Sequence, residues 1–311
     1  MNRMSFQEFT TTVSNRIGEF LPESLKDARY EISPVEKNNG FVLTGLTIHS
    51  NYSNASLLIY LDQFYEAYMH GRDIEDILRD IAQVRVETEV KNSFGVENIT
   101  DFDLVKDKIV PRLSNAEWNS GLLEVRPHTQ IADLAVTYHV MFAKNETGVA
   151  SVPVTFNLME MWGVDVETLH ELAVKNLTEL FPSTFVSMSS MLHGLLPSVG
   201  NDDDSSDDLA SQDDIMFVLT SDQNLNGAAN ILDSHMMDRI LDKFGEEFYL
   251  LPSSIHEWII VSSKGVNPSF LTSMVQEVNA DEVGLEERLS SHVYRYTASE
   301  GLICARIAFC H

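Results

Sequence analysis

The stretch Leu250–Val261, LLPSSIHEWIIV, decides how the second half of the chain is read. It holds His256 followed by Glu257, which is how the H-E-x-x-H zinc signature begins. That signature works because two His four residues apart share one face of a helix. The residue four after His256 is Ile260, so the second ligand is missing. Tyr249, Ile259, Ile260 and Val261 favour extended backbone. On a strand, His256 and Glu257 point to opposite faces and cannot work as an adjacent acid–base pair. The expectation is a buried strand that begins with a polar pair just after a tight Pro252-Ser253-Ser254 turn.

Outward from this stretch, one unit recurs: a hairpin followed by a helix. Tyr30–Val35 and Phe41–Ile48 flank a turn at Asn39-Gly40. A strand SLLIYL follows, then helices around Phe64–Tyr68 and Ile74–Ile81, the second capped by Asp73. The segments IADLAVTYHVMF and GVASVPVTF flank AKNET and lead to a helix carrying Leu169, Leu172, Ala173, Asn176 and Leu180. IMFVLT and GAANIL lead to a helix with Met236, Met237, Ile240, Leu241 and Phe244, ended by Gly245. After HEWIIV, a helix starts at Asn267-Pro268, and a last hairpin turns at Glu300-Gly301. At the N-terminus, Ser5 and Glu8 form a capping box ahead of the helical spacing Phe6, Phe9, Val13, Ile17. Short hairpins mean antiparallel sheets, and the intervening helices are expected to cover one face, so the fold class is α+β in two lobes.

The lobes are expected at residues 1–198 and 215–311, the first divisible into subdomains 1–100 and 101–198. Between them lies Gly200–Asp214, GNDDDSSDDLASQDD, with seven Asp and three Ser, read as an acidic linker or loop at 199–214. It is not an EF-hand, because Asp207 and Asp213 stand where Gly and Glu are needed.

The chain has 311 residues and a formal net charge of −26, from 47 acidic and 21 basic residues. No basic stripe exists to displace counterions from phosphates, so direct nucleic-acid binding is not expected. No run of eighteen apolar residues exists, so no membrane span is expected, and the N-terminus lacks the apolar block of a signal peptide. Only Cys304 and Cys310 are present. Six residues apart on one strand they would lie roughly 20 Å apart, too far for a disulfide, and a reducing cytoplasm fits best.

The strongest polar grouping is RPHTQIADLAVTYH, with Arg126, His128, Asp133 and His139. A His–Asp arrangement serves as general base and orienter or as metal ligands. On one strand, however, Asp133 and His139 would be about 20 Å apart, which favours a loop cap and an edge-strand histidine. LHELAV places His170 on a helix, but the residue four after it is Val174. His49, in the polar HSNYSN, is an unsupported ligand. The cluster Tyr60, Phe64, Tyr65, Tyr68 is read as core with hydroxyls at its rim. There is no G-x-S-x-G elbow, Walker loop, G-x-G-x-x-G or C-x-x-C.

Several segments together resemble an uncharacterised bacterial family, domain of unknown function 5688, found in Gram-positive gut bacteria. They include KNNGFVLTGLTIH, IYLDQFYEAYMHG, VKDKIVPRLSNAEWN, MEMWGVDVETLHELAVKN, MFVLTSDQNLNGAANIL and EFYLLPSSIHEWIIV. The most specific pieces are Trp162-Gly163, Asn226-Gly227-Ala228 and Leu251-Pro252-Ser253-Ser254. The resemblance implies a bacterial cytoplasmic protein and supplies no activity and no catalytic residues. The function expected is a non-enzymatic binding or interaction protein, taking a protein or small-molecule partner without cofactor or metal. The alternatives are a hydrolase-like enzyme using His128, Asp133 or His139 in the first lobe, and an acidic DNA mimic.

Overall fold

The computed structural model describes residues 3–26, 28–49, 57–91, 98–145, 148–195 and 215–305. The chain divides into two compact units, Met1–Leu104 and Val105–His311.

In the first unit, the helix Phe6–Arg16 opens on Ser5, whose side chain accepts from the Glu8 N–H while the Glu8 carboxylate accepts from the Ser5 N–H. Phe9, Val13 and Ile17, spaced by four, are fully buried. Strands β1 (Arg29–Glu36), β2 (Val42–His49) and β3 (Leu57–Tyr60) form an antiparallel sheet in that order. The β1–β2 turn is short because Asn39 and Gly40 both take positive φ, 60° and 68°. Leu46, Ile48 and Ile59 from the sheet meet Ile77, Leu78 and Ile81 from the helix Ile74–Lys91. Tyr65 and Tyr68 pack against this core, and the Tyr65 hydroxyl donates to the Met4 carbonyl at 3.2 Å.

The second unit holds two antiparallel sheets. The smaller contains β4 (Ile109–Asn115), β5 (His128–Ile131), β6 (Leu134–Asn145) and β7 (Gly148–Pro153). The long β6 pairs with β4 on one side and with β5 and β7 on the other. The helix Val166–Leu180, capped by Asp165, buries Leu169, Ala173 and Leu177. Its buried Asn176 donates to the carbonyls of Lys106 and Ile109 at 2.8 and 2.9 Å, which fastens the helix to the start of β4.

The larger sheet uses β8 (Ser183–Ser187), β9 (Met216–Ser221), β10 (Glu247–Ser254), β11 (Glu257–Ser262), β12 (Tyr294–Thr297) and β13 (Gly301–Cys304), in the order β13-β12-β10-β11-β9-β8. The segment 199–214 lies outside the described residues. The strands on either side of it, β8 and β9, pair with each other from Ser183↔Ser221 to Ser187↔Phe217. β8 and β9 thus belong to one sheet.

LLPSSIHEWIIV is extended, as its β-branched content requires, but its turn differs from expectation. Pro252, Ser253 and Ser254 end β10, and Ile255-His256 make the turn, so His256 precedes the strand rather than starting it. Helices also cover both faces of this sheet, not one. Phe244 of the helix Ser234–Phe244 meets the rings of Phe217 and Phe248, while Leu271 and Val275 of the helix Pro268–Asp281 pack with Leu251 and Val261. Consecutive apolar residues in YLL and IIV fit this two-sided burial. GAANIL supplies no hairpin arm: Gly227–Leu232 is a buried 3-10 helix. It crosses close above β9, where a Cβ on Gly227 would stand 2.4 Å from the Ser221 nitrogen and 2.5 Å from the His256 carbonyl oxygen.

Candidate functional site

Asp133 sits in the tight turn between β5 and β6, after Ala132 at φ 54°. Its backbone carbonyl accepts from the Ala116 N–H at 3.0 Å, which ties the turn to the end of β4. The carboxylate projects toward the start of β12 in the larger sheet. There the Tyr294 hydroxyl donates to Oδ1 at 2.6 Å, and Nδ1 of His292 lies 2.7 Å from Oδ2. Tyr294 is fully buried at the start of β12, its ring edge-on to Trp258. Burial, reinforced by the Asp133 charge, pushes its hydroxyl far above the usual phenol range, so it stays a donor. Cys304, the last residue of β13, lies opposite Tyr294 in the register. One ligand atom each from Asp133, His292 and Cys304 lies within 4.8 Å of the others. All three line a pocket of ≈ 690 Å³, with Glu117, Trp118 and Gln130 on its walls. The side chains of His292 and Asp133 are 58% and 31% exposed, so the ion pair alone adds little to stability.

Sequence reading singled out Asp133 but not its partners. The set is spread over 133, 292, 294 and 304, with no local spacing to reveal it. In the sequence Cys304 stands only as a candidate half of a disulfide, and Cys310 lies outside the described residues. The other two candidates are elsewhere. His139 is five residues into β6 from Leu134, about 17 Å along the strand. His128 pairs with Thr137, so it shares a sheet face with His139 as a diagonal neighbour. Arg112, opposite Thr137 on β4, is on that face too. His139 is buried, and desolvation, then the charges of Arg112 and Arg126, hold its pKa well below the ordinary imidazole value. Arg112 donates to the Ser151 hydroxyl at 2.7 Å, and burial, with Arg126 adding repulsion, pushes its pKa down to about 10. His128 Nδ1 lies 2.9 Å from the Arg126 carbonyl oxygen.

Three further histidines, His256, His170 and His49, each have polar partners of their own. The Asn226 N–H donates to His256 Nδ1 at 3.0 Å, and Glu257 accepts from the Ser253 hydroxyl at 2.8 Å, so the pair diverges. His170 Nδ1 meets the hydroxyls of Thr129 and Tyr138 at 2.9 and 3.2 Å, and burial lowers its pKa. His49 Nε2 lies 3.5 Å from Glu31. Among the described residues no helix is long and apolar enough to cross a membrane.

This is an α+β protein of antiparallel sheets with an Asp/His/Cys pocket where two of them meet. The chain belongs to a family of unknown function (DUF5688), which matches residues 6–298. Asp133, His292 and Tyr294 fall within that span, and Cys304 lies beyond it. No curated protein and no solved structure matches the chain.

Proposed function

We propose that this is a binding protein whose ligand is a divalent transition-metal ion of the zinc class, held by Asp133, His292 and Cys304. The observation that carries the reading is the closeness of three chemically different donors around one point. Zinc takes carboxylate, imidazole and thiolate at roughly 2.0–2.3 Å, which sets ligand atoms about 3.3–3.7 Å apart. The three atoms lie within 4.8 Å of one another, so binding requires the side chains to rotate inward. The metal takes the place of the contact between His292 and Asp133, and Tyr294 keeps the carboxylate turned toward the ion. Three protein ligands beside an open pocket leave a fourth position for water or a small ligand. A reducing compartment such as a bacterial cytoplasm suits the reading, because a thiolate ligand must stay reduced.

Titration with cobalt(II) as a zinc surrogate tests it. One equivalent should bind with a thiolate-to-metal charge-transfer band in the near ultraviolet. Cys304→Ser should remove the band, and Asp133→Asn or His292→Gln should weaken binding at least tenfold. Binding that is unchanged in all three variants would remove the proposal.

One observation favours a second reading. His292 offers Nδ1 to a carboxylate, the contact that orients an imidazole beside a nucleophilic thiol. In that arrangement acid and nucleophile lie at opposite ends of the ring, about 7 Å apart. Here a carboxylate oxygen is within 4.8 Å of the sulfur, and this favours the metal. Iodoacetamide separates the two. A metal ligand is protected by added zinc, whereas an activated thiol reacts fast in chelator and slowly in His292→Gln.

A further inference from the structure

The face of the smaller sheet formed by β4, β5, β6 and β7 carries an arrangement that the metal reading does not use. Arg112, Thr137, His139 and Ser151 project from one side of it. The chain carries 47 acidic against 21 basic residues, yet the groups acting on the His139 ring are the two cations Arg112 and Arg126. A buried cation is expensive unless it is paired. Among the described residues Arg112 has a neutral partner, the Ser151 hydroxyl. Its Nε is buried and makes no hydrogen bond, and so is Nδ1 of the buried His139. Two orphaned nitrogens on one face, in a field of like charge, are unusual, because buried polar groups are nearly always satisfied.

We propose that this face is a binding site for a single small oxyanion, with inorganic phosphate as its simplest form. Arg112 supplies Nε and a terminal nitrogen as a fork that matches two oxygens of a tetrahedral anion. His139, with its proton on Nδ1, donates to a third, and Arg126 adds charge from the side. The anion supplies the negative charge that the orphaned donors lack. Arg112 is half-buried as a residue but its Nε is enclosed, so the side chain must swing aside to admit the anion. This site and the Asp133 pocket share no residue, so each stands or falls alone.

The test is calorimetric titration of the full chain with inorganic phosphate, alongside thermal unfolding in phosphate and in chloride at equal ionic strength. Phosphate at a hundredfold excess over its dissociation constant should raise Tm by about 5–10 °C over chloride. Arg112→Lys keeps a point charge but loses the fork, and should weaken phosphate at least tenfold. Arg112→Met should abolish the phosphate effect, and without phosphate it should be no less stable than the parent, since a half-buried cation with only a neutral partner and an enclosed, unbonded Nε has been replaced by an apolar side chain. If Arg112→Met does not fold, Arg112→Lys and His139→Gln decide. No calorimetric signal and no Tm difference between the two salts for the parent chain would overturn the proposal. So would phosphate binding that survives unchanged in the Arg112 and His139 variants.

Discussion

The Tyr294 hydroxyl and the Asp133 carboxylate meet at 2.6 Å across 161 residues of sequence, joining β12 of the larger sheet to a turn of the smaller one. The tyrosine is buried and the aspartate half-buried, so the bond is charge-assisted and partly shielded from water. Tyr294→Phe keeps the ring against Trp258 and removes only the donor. Stability should fall by about 1–2 kcal/mol in urea denaturation. Zinc affinity should fall about 10–100-fold, because the carboxylate loses the contact that aims it. Unchanged metal affinity would show that Tyr294 has a structural role alone.

Gly227 is where backbone approaches backbone. A Cβ there would lie 2.4 Å from the Ser221 nitrogen and 2.5 Å from the His256 carbonyl oxygen, and neither can rotate away. Gly227→Ala should therefore destabilise by about 3 kcal/mol or more, at or beyond the upper end of what single changes ordinarily cost. A loss under 1 kcal/mol would mean that the 3-10 segment shifts without resistance. Its neighbour gives a graded comparison. Trp258 is fully buried and donates from Nε1 to the Ala228 carbonyl at 2.8 Å. Trp258→Phe removes that buried donor and opens a small void, for about 2–4 kcal/mol.

Local chemistry made much of the fold legible. Ser5 and Glu8, Asn39-Gly40 and Asn267-Pro268 each create their feature within a few residues, so their consequences can be read from the chain alone. GAANIL could not be read this way. Its residues suit several conformations, and what selects the 3-10 turn is contact with β9 and Trp258. His256 is a similar case: Ile255-His256 carries no Gly or Asn to mark a turn, and a register shift between Pro252 and Ser254 puts it there. In the candidate site, Asp133 could be singled out from its polar surroundings. His292 and Cys304 could not, because the pairing that brings them to Asp133 is tertiary.

His139 predicts a pH dependence with a definite sign. Its ring is buried on the face of the smaller sheet that carries Arg112, and desolvation, then the charges of Arg112 and Arg126, hold its folded pKa well below 6.5. Unfolded, it returns to the ordinary value near 6.5. Between those two values the unfolded chain holds one more proton than the folded one, so stability rises with pH through that window. This contribution is fully present above about pH 6.5 and is lost as pH falls toward the folded pKa, at about 1.4 kcal/mol per pH unit. His139→Gln keeps a polar side chain of similar size and cannot titrate. Urea denaturation from pH 7.5 to 5, in phosphate-free buffer, should give a steeper decline for the parent than for the variant. The difference between the curves isolates His139 from the carboxylates, which titrate in both. Parallel curves would mean that the ring is solvated or protonated in the folded state, contrary to its burial.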